Sequence, residues 1–191
     1  ANELAPRAEE TDRLGRFPTE SLDALRKEGL WGLRVPEKHG GLGQDMVTTC
    51  LIVEELSKKC PSTAMCYKMH LCGVSAYVAS ANPLPDLLHA VARGEHVSTL
   101  AWSAFASRTH FCVPVSQEVR RNGYIVLNTS KSFVTSAGQA DGYVVTTRWA
   151  EAQSPLESMM YYVSKEDAGI RVAGTWDALG MRGNISSPVL L

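Results

Sequence analysis

Three groups of side chains in this sequence could do chemistry. The first is the run Ser103-Ala104-Phe105-Ala106-Ser107-Arg108-Thr109-His110, with hydroxyls toward both ends and a guanidinium inside it. Hydroxyls so placed can hydrogen-bond a ligand or cap their own backbone, and Arg108 can pair with a phosphate or carboxylate. The second is Phe133-Val134-Thr135, where strand alternation puts Phe133 and Thr135 on one face and Val134 on the other. In an arbitrary protein that pattern is core packing. The third comprises the carboxylates Glu54, Glu55 and Glu118, which read as surface or helix charges.

Metal and disulfide chemistry find no support. The five histidines, His39, His70, His89, His96 and His110, show no ligand spacing such as HExxH. The five cysteines, Cys50, Cys60, Cys66, Cys72 and Cys112, are odd in number and form no CxxC pair, so they read as buried reduced thiols. The 191 residues carry 19 basic and 20 acidic side chains, a formal net charge of -1, and no Lys/Arg tract. Nucleic acid and an anionic membrane surface are therefore poor partners. No apolar run reaches the roughly 18–20 residues of a membrane span, and the polar start ANELAPRAEETDR is unlike a secretory signal. The reading is a cytoplasmic protein, or one of the mitochondrial matrix if eukaryotic.

The elements that must position these groups change character near residue 96. Before it the signals are helical: Thr19 as N-cap of a helix over 19–28, a glycine-rich loop LWGLRVPEKHGGLGQD, a helix from Asp45 to before Pro61, an apolar and therefore buried helix over 62–81, and a short one over 86–93. After it the period is two, with strands expected at 97–102, around 113–119, and at 124–128, 132–135, 142–148, 159–163 and 169–174. Asn122-Gly123 is a strong hairpin turn. The fold class is α+β, an all-helical domain over 1–96 followed by an antiparallel β-barrel over 97–191.

The succession LRKEGLWGLRVPEKHGGLG, LLHAVARGEHVSTLAW, NGYIVLNTSKSFVTSAGQADGYVVTTR and GIRVAGTWDALGMRGNISSPVLL resembles the acyl-CoA dehydrogenase superfamily of FAD-dependent flavoproteins. The resemblance implies that the helical and β parts are the first two of three domains, with a helical bundle expected beyond Leu191. It places Trp102, Ser103, Phe133, Val134 and Thr135 at the flavin, Phe133 as stacking surface and Thr135 as hydrogen-bond donor to the ring. It places Arg108 and Thr109 toward the substrate. The family loop usually reads T-E-P-x-x-G-S-D, so Arg108 stands for Gly and His110 for Asp, which leaves the substrate open. Arg182 resembles a position that shapes a turn.

By the same resemblance the reaction is α,β-dehydrogenation of an acyl-CoA thioester, with hydride passing to flavin N5 and electrons onward to an electron-transfer flavoprotein or other acceptor. The catalytic base is a glutamate that none of Glu54, Glu55 or Glu118 matches, so no catalytic residue is assigned; because the resemblance implies a flavin site completed by a neighbouring subunit's carboxyl-terminal domain, this chain alone is expected to bind FAD weakly. The resemblance also implies a homodimer or homotetramer. Alternatives are a flavin-dependent monooxygenase or oxidase of the same fold, or a non-catalytic flavin- or CoA-binding module.

Overall fold

The computed structural model describes residues 2–108, 110–154 and 156–191. Its first half contains five helices, α1 (Ala5–Leu14), α2 (Thr19–Lys27), α3 (Met46–Ser57), α4 (Pro61–Val78) and α5 (Pro85–Ala92). The helix α1 has no counterpart in the expectations, because only Thr11 of it is buried and the sequence shows no apolar stripe. Thr19 is the first residue of α2 and not its cap, a position that Pro18 takes without a side-chain bond. Asp45 does cap α3, accepting from Thr48 N–H at 2.8 Å. The loop between α2 and α3 folds on itself, with Leu42 N–H donating to Gly32 O and Gln44 N–H to Leu33 O. Gly41 is required there, since a Cβ would lie 2.2 Å from Val35 O.

The apolar α4 is the central helix, as its composition predicts, with Tyr67, His70, Leu71 and Val74 at most 1% exposed. It packs on β1 (Ser98–Ala101). His70 fixes the joint: its Nδ1 accepts from Ser98 N–H at 3.1 Å, and its Nε2 lies 3.1 Å from Trp31 O. That pairing selects the Nε2–H tautomer. One continuous core runs from Leu22, Trp31 and Leu71 to Ala101, Val134, Val145 and Val189.

The remaining strands are β2 (Val119–Arg121), β3 (Tyr124–Val126), β4 (Ser130–Val134), β5 (Gly142–Arg148), β6 (Ser158–Ser164), β7 (Arg171–Val172) and β8 (Ser187–Leu190). They form three sheets, β1-β5-β6, β2-β3 and β4-β8-β7. Two departures from the expected antiparallel barrel are clear. Among the described residues the ladders do not close into a ring, and β1 pairs with β5 in parallel, Ser98 opposite Gly142. The long connection between those strands permits the parallel crossover. Asp141 then locks the register by accepting from Val97 N–H at 2.8 Å. The Asn122-Gly123 turn has φ of 50° and 81°, the signs a tight hairpin needs. No helix among the described residues is long and apolar enough to cross a membrane.

Candidate functional site

Where β1 ends, Trp102 and Ser103 run along β4. Ser132 N–H donates to Ser103 O at 2.8 Å, Phe105 N–H donates to Ser130 O at 3.1 Å, and Lys131 Nζ lies 3.1 Å from Trp102 O. Lys131 is fully buried and also donates to Thr146 O and Oγ1, at 2.5 and 3.2 Å. Burial pushes its ammonium down to about 8. The indole Nε1 of Trp102 is buried with no acceptor among the described residues. An unmade bond of this kind costs roughly 1–3 kcal/mol, which a ligand acceptor would recover. Ser103 is half-buried, and its carbonyl, not its hydroxyl, is what ties it to β4.

Phe133 breaks the expected alternation. The β4–β8 register shifts between Lys131 and Val134, and Phe133 has φ +53°. For an L-residue this left-handed backbone costs roughly 1–2 kcal/mol. The twist leaves Phe133 67% exposed, its ring edge-to-face with Trp176 at 6.1 Å, while Val134 and Thr135 are both buried. Phe133 and Thr135 thus do not share a face as a regular strand would place them. Thr135 Oγ1 lies 2.9 Å from Ser186 Oγ, and Ser186 donates to Asn184 Oδ1 at 2.8 Å. The Ser186 proton being used, Thr135 donates to Ser186 and its own oxygen remains an acceptor. As arranged, it holds the segment that leads into β8 and is not free to donate to a ligand.

In the 103–110 loop, Arg108 is exposed with φ +53°, a conformation that glycine would adopt without strain. Ser107 is buried and closes a turn onto Ala104 O at 2.8 Å. His110 is exposed. Thr109 lies outside the described residues.

Among the carboxylates, Glu54 and Glu55 share Lys58 on the surface. Glu118 corrects the sequence reading, for its side chain is fully buried. Burial alone would raise it, but the Tyr161 hydroxyl and the Arg120 guanidinium at 3.0 Å hold it below the usual range. A carboxylate so engaged is a poor proton acceptor. Of the thiols, Cys60 and Cys66 are buried, while Cys50 and Cys112 are exposed, contrary to the uniform burial expected. Arg182 starts a 3-10 turn over Arg182–Asn184 flanked by left-handed Met181 and Ile185, and its N–H donates to Asp12 Oδ1 at 2.9 Å. Two residues of the candidate site went unmarked in the sequence, Lys131 and Trp176, and the serines on either side of Lys131 gave no sign of its burial.

Residues 1–95 match the acyl-CoA dehydrogenase N-terminal domain and residues 107–191 the acyl-CoA dehydrogenase middle domain. The chain belongs to the acyl-CoA dehydrogenase family. An acyl-CoA dehydrogenase of Bacillus subtilis is 27% identical over 191 residues, covering 98% of this chain and 50% of its own. The fold is that of butyryl-CoA dehydrogenase from Megasphaera elsdenii, with a TM-score of 0.86 at 22% identity over 98% of this chain and 51% of that one. It is also that of KijD3, solved with FMN and a dTDP-linked amino-keto sugar, with a TM-score of 0.79 at 24% identity over 99% and 47%. The chain spans about half the length of the relatives it matches.

Acyl-CoA dehydrogenase family members are FAD-dependent. The residues present fit a flavin in two respects: Phe133 offers an exposed ring held out by strained backbone, and Trp102 Nε1 is a buried donor lacking an acceptor.

Proposed function

We propose that this chain is the flavin- and substrate-facing part of an FAD-dependent acyl-CoA dehydrogenase. The observation that carries this reading is the exposed Phe133, held at φ +53° on a segment that matches the family's middle domain. Strain that burial does not repay is kept where a ligand uses it. When bound, FAD accepts the β-hydrogen of an acyl-CoA as hydride. Phe133 supplies the stacking surface, Trp102 and Ser103 the polar contacts, and Val134, buried beneath, holds Phe133 outward. Lys131 positions this edge through the Trp102 carbonyl. Thr135 acts through its acceptor oxygen and its bond to Ser186. Arg108 faces solvent and suits an anionic group of the substrate, with Thr109 beside it in sequence. The electron acceptor in this reading is an electron-transfer flavoprotein, and the assembly a homodimer or homotetramer.

A second reading, a flavin-dependent monooxygenase or oxidase, is favoured by one observation. Arg108 and His110 occupy loop positions where the resemblance implies a small and an acidic residue, and the fold is shared with KijD3. Anaerobic addition of acyl-CoAs of graded chain length to the FAD-loaded full-length protein separates the two. Bleaching of the flavin's visible absorbance supports dehydrogenation. No bleaching at any length, with oxygen-dependent hydroxylation once reduced flavin is supplied, contradicts it.

A further inference from the structure

Most of the left-handed backbone outside glycine falls in one place. Among the described residues six non-glycine positions have left-handed φ, and four of them are Phe133, Ser136, Met181 and Ile185. They lie in two segments bonded to each other, Ser136 N–H donating to Asn184 O at 2.9 Å and Ala137 N–H to Ile185 O at 3.2 Å. Ile185 is β-branched, for which such a backbone is a genuine outlier. The first segment carries Phe133 outward and the second carries Trp176. Trp176 is half-buried and its indole N–H donates to Met181 O at 3.3 Å, so its ring is tied to one of the strained residues.

The two rings meet at 80° with centroids 6.1 Å apart. Two perpendicular aromatic walls make a corner. A flat ring laid on one wall turns its edge toward the other, and stacked and edge-to-face contacts are both favoured by the ring quadrupoles. The register shift in β4 and the left-handed backbone set the direction in which Phe133 leaves the strand, and the indole of Trp176 is tied to Met181.

We propose that Trp176 is a positioning residue of the flavin site, the second wall of an aromatic corner whose first wall is Phe133. The proposal rests on the flavin reading of Phe133. It makes the 173–186 segment part of the cofactor site, and the strain along that segment is what holds the indole at right angles to Phe133.

The test is a titration of the full-length protein with FAD, followed by tryptophan emission and by the visible circular dichroism of the bound flavin, for the native protein, Trp176→Ala and Trp176→Phe. Far-UV dichroism establishes that each is folded. The expected result is a loss of about tenfold in affinity for Trp176→Ala, about 1.4 kcal/mol, with an altered visible dichroic band. Trp176→Phe, which keeps a ring, retains affinity within about threefold and restores the band. Should Trp176→Ala fail to fold, Trp176→Leu keeps the apolar bulk and carries the same expected loss. Native binding with an unchanged affinity and band in the Ala or Leu variant overturns the role of Trp176 alone. No FAD binding by the native protein overturns the flavin reading and this proposal with it.

Discussion

The ammonium of Lys131 lies 3.1 Å from the carbonyl oxygen of Trp102, fully buried and satisfied only by neutral oxygens. No carboxylate offsets its desolvation, which lowers its pKa to about 8 against an ordinary 10.5. Because the folded state releases this proton before the unfolded state does, the unfolded chain binds more protons between pH 8 and 10.5. Stability attributable to Lys131 therefore rises with pH across that window.

Lys131→Met should remove that rise. Buried thiols and phenols, Cys66 and Tyr67 among them, lower stability over the same interval in both proteins, so denaturant unfolding at pH 7.5 and 10 is expected to show a change more favourable in the native protein than in the variant. Parallel changes in the two would contradict the burial of a charged lysine.

His70 has the opposite window. It is fully buried, bonded as a neutral ring between Ser98 N–H and Trp31 O, and pushed down to about 3. Its contribution is complete above the unfolded value near 6.5 and is lost as pH falls toward 3. From pH 6.5 to 5 the carboxylates are ionised in both states, so the buried histidines dominate that interval. Thermal midpoints should fall from pH 7 to 5, and His70→Gln, less stable at pH 7, should show a shallower slope. An equal slope would assign the effect elsewhere, with His96, also depressed by burial, the next group to test.

Gly73 lets α4 lie against β1. A Cβ there would sit 2.0 Å from Ser98 Oγ and 2.9 Å from Ser98 Cβ. Gly73→Ala should gain about 1 kcal/mol of helix propensity and lose more to the clash. The expected net destabilisation is about 2 kcal/mol by urea unfolding, and a more stable variant would contradict this packing.

What the sequence made legible was whatever rests on period. The helix α4 is apolar all round, and β5, Gly142–Arg148, is a run of buried residues flanked by turns. What it hid rests on distant partners or on backbone. The helix α1 carries almost no buried side chain, and β8 contains Pro188. Glu118 looked like a surface charge because its partner Tyr161 is 43 residues away. Alternation along 133–135 predicted a shared face for Phe133 and Thr135, and one left-handed residue undid it. Motif order singled out 102–103 and 133–135 as candidates, whereas their orientation needed the structure.

The central claim is that Phe133 is held in a strained, exposed conformation to receive a flavin. Phe133→Gly relieves the strain, roughly 1–2 kcal/mol, against a glycine entropy cost of about 0.5–1 kcal/mol and the loss of the contact with Trp176, about 0.5–1.5 kcal/mol, so the stability of the fold should be nearly unchanged. The decisive measurement is calorimetric titration of FAD into the native protein and Phe133→Gly. The account predicts one FAD per chain in the full-length native protein and binding at least about tenfold weaker in the full-length variant, with its thermal midpoint nearly unchanged. Equal affinity in the two proteins, or no saturable binding to the native one, would contradict it.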